Sequence, residues 1–314
     1  MTDGNAEFSA DDLRKWLRLG PSPADVQVTV DDVVVEEKFE RRRIDYTAAD
    51  GDRIPAFLLV PTTRHSGAAV MIHHQHNGER HLGKSEVCGL AGDPLQAFGP
   101  VLAERGFVVL APDSICFEDR RANGKGVEPH PGDWDQHYNE MAYRLVRGDT
   151  LMRKVLDDAA AGISVLAELT GVDPDRIGVL GHSYGGNTVL FQTAVDDRVR
   201  FACSSGAVCS YEKRIERGTG IEMAEVIPGV VGRLEVDDLL RLAAPRPMLV
   251  VSGTDDPYSY DAADMVRLAR RSHPALEHAQ FDGGHAVTSE RFDRIVEWVA
   301  HAGLDETRIL QAHR

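Results

Sequence analysis

The chain has 314 residues, 42% hydrophobic and 27% charged, a balance that fits a soluble globular protein of one large domain or two small ones. Its formal net charge of −15 argues against a nucleic-acid or anionic-membrane partner, and no apolar run reaches membrane-spanning length. The polar, acidic start Met1–Glu7 lacks a secretory pattern, and Cys88, Cys116, Cys203 and Cys209 show no C-x-x-C spacing, so reduced, packed thiols and a cytoplasmic location are expected.

Ser9-Ala10-Asp11-Asp12 reads as a helix-capping signal, with Leu13, Trp16 and Leu17 as the stripe behind it. Residues 1–40 are therefore expected to form a helical arm ahead of a domain over 41–314. The arm packs on its own domain or on a partner subunit, which leaves a homodimer as one expectation. Extended segments follow at Val33–Val35, Arg41–Thr47 and Ile54–Val60. Asp50-Gly51 between the last two is a hairpin signal, so these two are expected as an antiparallel pair at a sheet edge.

From Ala68 onward, apolar strands alternate with amphipathic helices. Strands are expected at Ala69–Ile72, Phe107–Ala111, Ile177–Leu180, Phe201–Ser204, Met248–Ser252 and about His278–Phe281. Helices are expected near Pro94–Arg105, Thr150–Leu169, Gly186–Val195, Ala262–Ser272 and Ser289–Ala302. In the second helix Met152, Val155, Leu156, Ala159, Ile163 and Leu166 form one face. Such alternation predicts an α/β fold: a mostly parallel sheet, covered by helices on both faces, with its site at the carboxyl ends of the strands. Segments 114–148 and 205–244 break the alternation and read as lid-like insertions over that end.

Gly181-His182-Ser183-Tyr184-Gly185 sits between an apolar run and a helical pattern. That is the strand–turn–helix setting of a G-x-S-x-G nucleophile elbow. A serine hydroxyl needs a neighbouring imidazole as base and a carboxylate to orient the imidazole. The acid lies in Gly253-Thr254-Asp255-Asp256, after an apolar strand, and either aspartate satisfies the position. The base is His285, on a loop behind Gly283-Gly284. His273, His278, His301 and His313 fit worse, being at helix or strand ends or in the C-terminal region. Backbone N–H groups of Tyr184 and, in the loop His73–Gly78, of His76 or Gln75 are the expected oxyanion donors. His74, His76 and His81 raise a zinc site as a rival, but the sequence offers no second histidine or cysteine cluster, so no metal or cofactor is expected. Gln75, Arg120, Trp134, His137 and Tyr138 are candidate substrate contacts. They stand with Arg121, His130 and Arg144 among polar groups suited to an oxygen-rich or anionic ligand.

Several stretches together resemble the α/β-hydrolase superfamily, in particular its dienelactone-hydrolase-like and acetyl-xylan-esterase-like branch. They are the His74 loop, Glu104–Asp113, Val172–Gly178, the Ser183 elbow, Ala244–Pro247, Gly253–Asp256 and Gly284-His285. The resemblance runs from about Arg41 to Ala302. It implies the α/β-hydrolase fold, the triad Ser183, Asp256 and His285, and Asp256 over Asp255, because Gly-Thr-x-Asp is the family's usual form. Two stretches depart from the family. His74-Gln75 stands where relatives carry His-Gly, and Phe117-Glu118-Asp119-Arg120 stands where many carry Phe-Gly-x-Arg. A serine at position 183, where dienelactone hydrolases proper use cysteine, favours ester hydrolysis. The expected function is hydrolysis of a small or medium polar carboxylic ester, with no cofactor. The same triad serves amide, thioester or lactone cleavage and acyl transfer, and a ligand-binding module on a hydrolase fold is the reading from another class.

Overall fold

The computed structural model describes residues 8–63 and 65–304. Met1–Glu7 and His313 lie outside the described residues. The described strands form one nine-stranded sheet. Its members are β1 (Val28–Val35), β2 (Phe39–Thr47), β3 (Arg53–Pro61), β4 (Ala69–His73), β5 (Val108–Pro112), β6 (Ile177–His182), β7 (Phe201–Ser205), β8 (Met248–Gly253) and β9 (Leu276–Phe281). The order is β1-β2-β3-β5-β4-β6-β7-β8-β9. Pairing is antiparallel from β1 to β5 and parallel from β5 through β4 to β9. Every residue of β5, β6, β7 and β8 is buried, as a sheet covered on both faces requires.

Period-2 alternation splits the core into two layers. Ala69, Met71, Val108 and Leu110 face a cluster with α5 (Leu151–Glu168) and α6 (Tyr184–Val195), while Val70, Ile72, Val109 and Ala111 face one with α3 (Phe98–Glu104) and α10 (Ser289–Leu304). α5 starts on Thr150, whose side chain accepts from the Arg153 N–H, and buries the expected stripe. At α1 (Ala10–Leu17) Ser9 and Asp12 form the expected reciprocal cap, and Leu13 and Leu17 join the α5/α6 layer. Arg14 Nη1 also donates to the Val195 carbonyl at 2.8 Å, so α1 rests on α6 of the same chain.

The hairpin β2–β3 forms as expected, with Thr47 opposite Arg53 and Gly51 at φ +87° in the turn. It is not the sheet edge. β1 is longer than Val33–Val35 and takes that place. Its eight residues are all exposed, and a register shift between Val30 and Asp32 breaks the alternation, so neither burial nor periodicity marks the strand. The two insertions are also more ordered than long loops. Segment 114–148 holds α4 (Asp133–Val146), whose N-terminus is tied down where Arg121 Nη1 meets Asp133 Oδ2 at 2.7 Å. Segment 205–244 holds α7 (Tyr211–Arg217), a 3₁₀ turn at Met223–Glu225 and α8 (Val236–Leu242).

A buried ion cluster fixes the chain after β4. Lys84, at the start of α2 (Lys84–Val87), lies 2.8 Å from both Asp113 Oδ2 and Asp119 Oδ2 and also contacts Glu118. Burial pulls its pKa down, but the carboxylates outweigh this and hold it above the ordinary lysine value. The three carboxylates are the one metal-like grouping among the described residues, and the Lys84 ammonium binds all three. Removing that ammonium would leave buried like charges together, which is why the cluster ties the end of β5 to the start of α2.

Candidate active site

The elbow is shaped by backbone contact. A Cβ at Gly181 would lie 2.3 Å from the carbonyl of Gly185, and one at Gly185 would lie 2.1 Å from the carbonyl oxygen of His73. Both positions therefore exclude any side chain. Ser183 itself sits at φ +55°, ψ −121°, a strained conformation for a residue with a Cβ. The strain is held by the Ser183 N–H donating to Ser205 O at 2.8 Å and by the helix that begins at the next residue.

Ser183, His285 and Asp256 come together in one hydrogen-bonded line. Ser183 Oγ is 2.8 Å from His285 Nε2, and His285 Nδ1 is 3.0 Å from Asp256 Oδ1. Asp256 is fully buried and also accepts from the Tyr258 N–H and the Ser259 hydroxyl, each at 2.9 Å. Burial raises its pKa, but the His285 contact and these two donors outweigh that and leave it below the ordinary aspartate value. Asp255 is exposed and stands outside the line. His182 lies against the His285 ring in a tilted arrangement, with ring centroids 4.8 Å apart, and burial pushes its pKa down to about 3, so it is neutral there. A Cβ on Gly206 (φ +62°) would reach within 2.7 Å of the His182 ring and 3.1 Å of the His285 ring.

Ser183 and His285 open into a cavity of about 520 Å³. His76, Arg80, Trp134, Tyr138, Glu222 and Tyr258 are among its walls. Tyr184 begins α6, so its N–H has no carbonyl one turn back within the helix. Its ring is buried and its hydroxyl lies 2.6 Å from Ser114 Oγ.

The candidate substrate residues separate into three groups. Trp134 and Tyr138, one turn apart on α4, line the cavity with stacked rings 5.2 Å apart. His137 is fully buried behind that wall. Its Nδ1 accepts from Arg80 Nε at 3.2 Å, and its ring packs edge-on against Phe117 and Tyr184. Gln75 and Arg120 do not line the cavity. Gln75 is buried, with Nε2 donating to Glu86 Oε1 at 3.2 Å. Arg120 turns to Asp158 at 2.8 Å and Asp52 at 3.2 Å, where two carboxylates balance its charge.

The histidines of the β4 loop diverge rather than converge. His73 Nε2 meets Gln192 Oε1 at 2.6 Å, His74 lies between Gln75 O and the Ser114 N–H, and His76 Nε2 meets Glu222. Burial pulls His73 and His74 down to about 4, which leaves both neutral at pH 7. Arg80, Glu222, Asn187, Arg214 and Tyr258 are cavity residues that sequence reading missed. They come from four separate segments, and only Arg80, close to the histidine run, carried a positional hint.

Glu86 offers a pH-dependent test of this region. Burial is the main influence and raises its pKa to about 7, against an ordinary value near 4.5. The folded state therefore binds this proton more tightly than the unfolded chain, so stability from Glu86 is present below about 4.5 and lost as pH rises through about 7. Glu86→Gln keeps an oxygen for Gln75 and Asp93. It should raise Tm relative to the parent at pH 8 and give no gain at pH 5, as read by thermal melts at both values.

The Bacillus subtilis (strain 168) protein YtaP, provisionally named a hydrolase, is 26% identical over 252 residues, covering 76% of this chain and 78% of YtaP. Acetyl xylan esterase 1 from Thermoanaerobacterium sp. JW/SL YS485 superposes with a TM-score of 0.62 at 18% identity, covering 93% of this chain and 98% of that one. A glucuronoyl esterase from Solibacter usitatus gives 0.68 at 15% identity, covering 94% and 91%. These likenesses establish the α/β-hydrolase fold. No described helix is long and apolar enough to cross a membrane. The sequence signature of the Prolyl oligopeptidase family matches residues 142–302, more than half of the 314, a span that contains Ser183, Asp256 and His285. The chain is a hydrolase of the α/β-hydrolase fold and belongs to the prolyl oligopeptidase family.

Proposed function

We propose that the protein hydrolyses a carboxylic ester of a small or medium polar substrate through an acyl-enzyme on Ser183. The observation that carries this reading is the continuous line from buried Asp256 through His285 to Ser183 at the floor of an open cavity. With Nδ1–H donating to Asp256, His285 presents its Nε2 lone pair to the serine hydroxyl.

Ser183 Oγ attacks the ester carbonyl as its proton passes to His285 Nε2. The carbonyl π electrons move to oxygen, and the N–H groups of Tyr184 and His76 hold that oxyanion. Collapse breaks the bond to the alcohol oxygen, which takes the proton from Nε2. Water then attacks the acyl-enzyme by the same route, releasing the acid and restoring Ser183. Asp256 stays ionised throughout and stabilises the imidazolium. No step requires a cofactor.

Ester chemistry is favoured over other acyl chemistry by the names of the fold relatives, an acetyl xylan esterase and a glucuronoyl esterase. The family name supports a second reading, cleavage of an amide or peptide bond. A panel with one acyl group on alcohol, amine and thiol leaving groups separates them. The expected result is turnover of the oxygen esters with the matching anilide at least 10²-fold slower in kcat/KM. Preferential cleavage of the anilide or of a peptide would reverse the assignment.

Of the candidate contacts, Trp134 and Tyr138 are proposed to meet the substrate at the cavity wall. His137 is proposed to support that wall from behind. The walls combine Trp134, Tyr138 and Tyr258 with Arg80, Arg214, Glu222 and Asn187; Arg214 is paired with Glu225, Glu222 meets His76, and Arg80 Nε donates to His137 Nδ1. That suits an uncharged polar substrate.

A further inference from the structure

We propose that Glu222 is a positioning residue that sets the geometry of the oxyanion-binding loop through His76. The proposal rests on the reading of His76 and Tyr184 as the two oxyanion donors. Glu222 belongs to the insertion after β7, far in sequence from the loop it holds, and nothing in the catalytic steps above requires it.

The loop has a definite local form. Asn77 and Gly78 both have positive φ, +39° and +79°, and the Glu79 N–H returns to His76 O at 2.5 Å. Two consecutive residues at positive φ mark a tight turn for which Asn-Gly is the preferred pair. The His76 ring closes over it, because Nδ1 accepts the Gly78 N–H at 2.7 Å. Nδ1 is therefore the unprotonated nitrogen, and Nε2 carries the hydrogen that points at Glu222. The Gly78 N–H at Nδ1 and one Glu222 carboxylate oxygen at Nε2 thus set the ring orientation and tautomer together.

The other oxygen of that carboxylate is also committed. Oε2 takes His76, while Oε1 accepts the Met223 N–H at 3.0 Å and caps the 3₁₀ turn Met223–Glu225. At the end of that turn Glu225 Oε2 accepts from Asn187 Nδ2 at 2.9 Å and Arg214 Nη1 at 2.8 Å. Asn187 lies on α6, whose first residue is Tyr184. A connected path therefore runs from the helix bearing one donor, through Asn187, Glu225 and Glu222, to the ring of the residue bearing the other. Such a frame fixes the spacing between two N–H groups that must converge on one oxygen. Burial acts to raise the Glu222 pKa, but His76, His137 and Arg80 outweigh it and hold it near 2, so the carboxylate is ionised at any working pH.

The test is a set of variants assayed on one ester together with a boronic-acid transition-state analogue. Glu222→Ala should lower kcat by roughly 10- to 100-fold with KM changed less than about 3-fold, as for an active-site group displaced by about an ångström. Affinity for the boronate should fall in parallel with kcat/KM. Glu222→Gln, which keeps one oxygen for the His76 N–H but loses the acceptor at the Met223 N–H, should recover part of kcat and stand between Glu222→Ala and the parent. His76→Ala retains the backbone N–H but loses the clamp, so it should match Glu222→Ala, and the double variant should lose no more than either single one. His76→Ala approaches the same link from its other end should Glu222→Ala fail to fold. Overturning results are wild-type kcat in both Ala variants, a change confined to KM, equal loss in Glu222→Gln and Glu222→Ala, or additive losses in the double variant. Ser183→Ala separates this from the underlying reading, since full activity there would sink the triad whatever Glu222 does.

Discussion

Ser183→Ala should lower kcat by about 10⁵-fold or more while the protein keeps its fold and its Tm within a few degrees. The size of the loss follows from the chemistry, since no other group at the site is placed to form the acyl bond once Oγ is gone. The fold is expected to survive because alanine relieves nothing and removes only one contact, the 2.8 Å hydrogen bond to His285 Nε2. The Ser183 N–H to Ser205 O bond and the glycine contacts that shape the elbow are backbone features and persist. A burst of product in the parent and its absence in the variant, alongside matched circular dichroism, checks both halves.

Asp256→Asn should give the second large effect, a fall in kcat of about 10⁴-fold with little change in stability. Asp256 Oδ1 faces both His285 Nδ1 and the Tyr258 N–H, and Oδ2 faces the Ser259 hydroxyl. A neutral amide fits the same space but cannot stabilise the imidazolium that forms when Ser183 loses its proton. Turned the other way, its N–H faces Nδ1 and forces the tautomer that has no lone pair for Ser183. Asp255→Asn at the neighbouring exposed position should leave kcat within about 2-fold, since that carboxylate is outside the line. Steady-state kinetics on the pair of variants reads the difference directly.

The elbow was legible because steric exclusion writes itself into sequence. Gly181 and Gly185 have backbone atoms where a Cβ would stand, and no other residue meets that demand. The strands β4 to β8 were legible for a related reason, because burial on both faces leaves continuous apolar runs. β1 was not, since an edge strand exposed on both faces has no hydrophobic requirement and its bulge disrupts the alternation. α4 was hidden because Trp134 and Tyr138 spend their aromatic surface on a cavity rather than on the core. Arg120 was hard to place for the opposite reason. In sequence it is one more polar candidate contact in a long loop, yet Asp158 and Asp52 absorb its charge through contacts that only the fold creates. Glu222 carries no local signal at all, because its partner His76 lies on a different element in a distant part of the chain.

The most direct measurement of the central claim is reaction of the unmodified protein with a fluorophosphonate, followed by peptide mapping of the adduct. The account predicts one adduct per chain, on Ser183, forming in step with the loss of esterase activity and absent from Ser183→Ala. Ester turnover that continues with Ser183 unlabelled, or an inactivating adduct on any other residue, would contradict it.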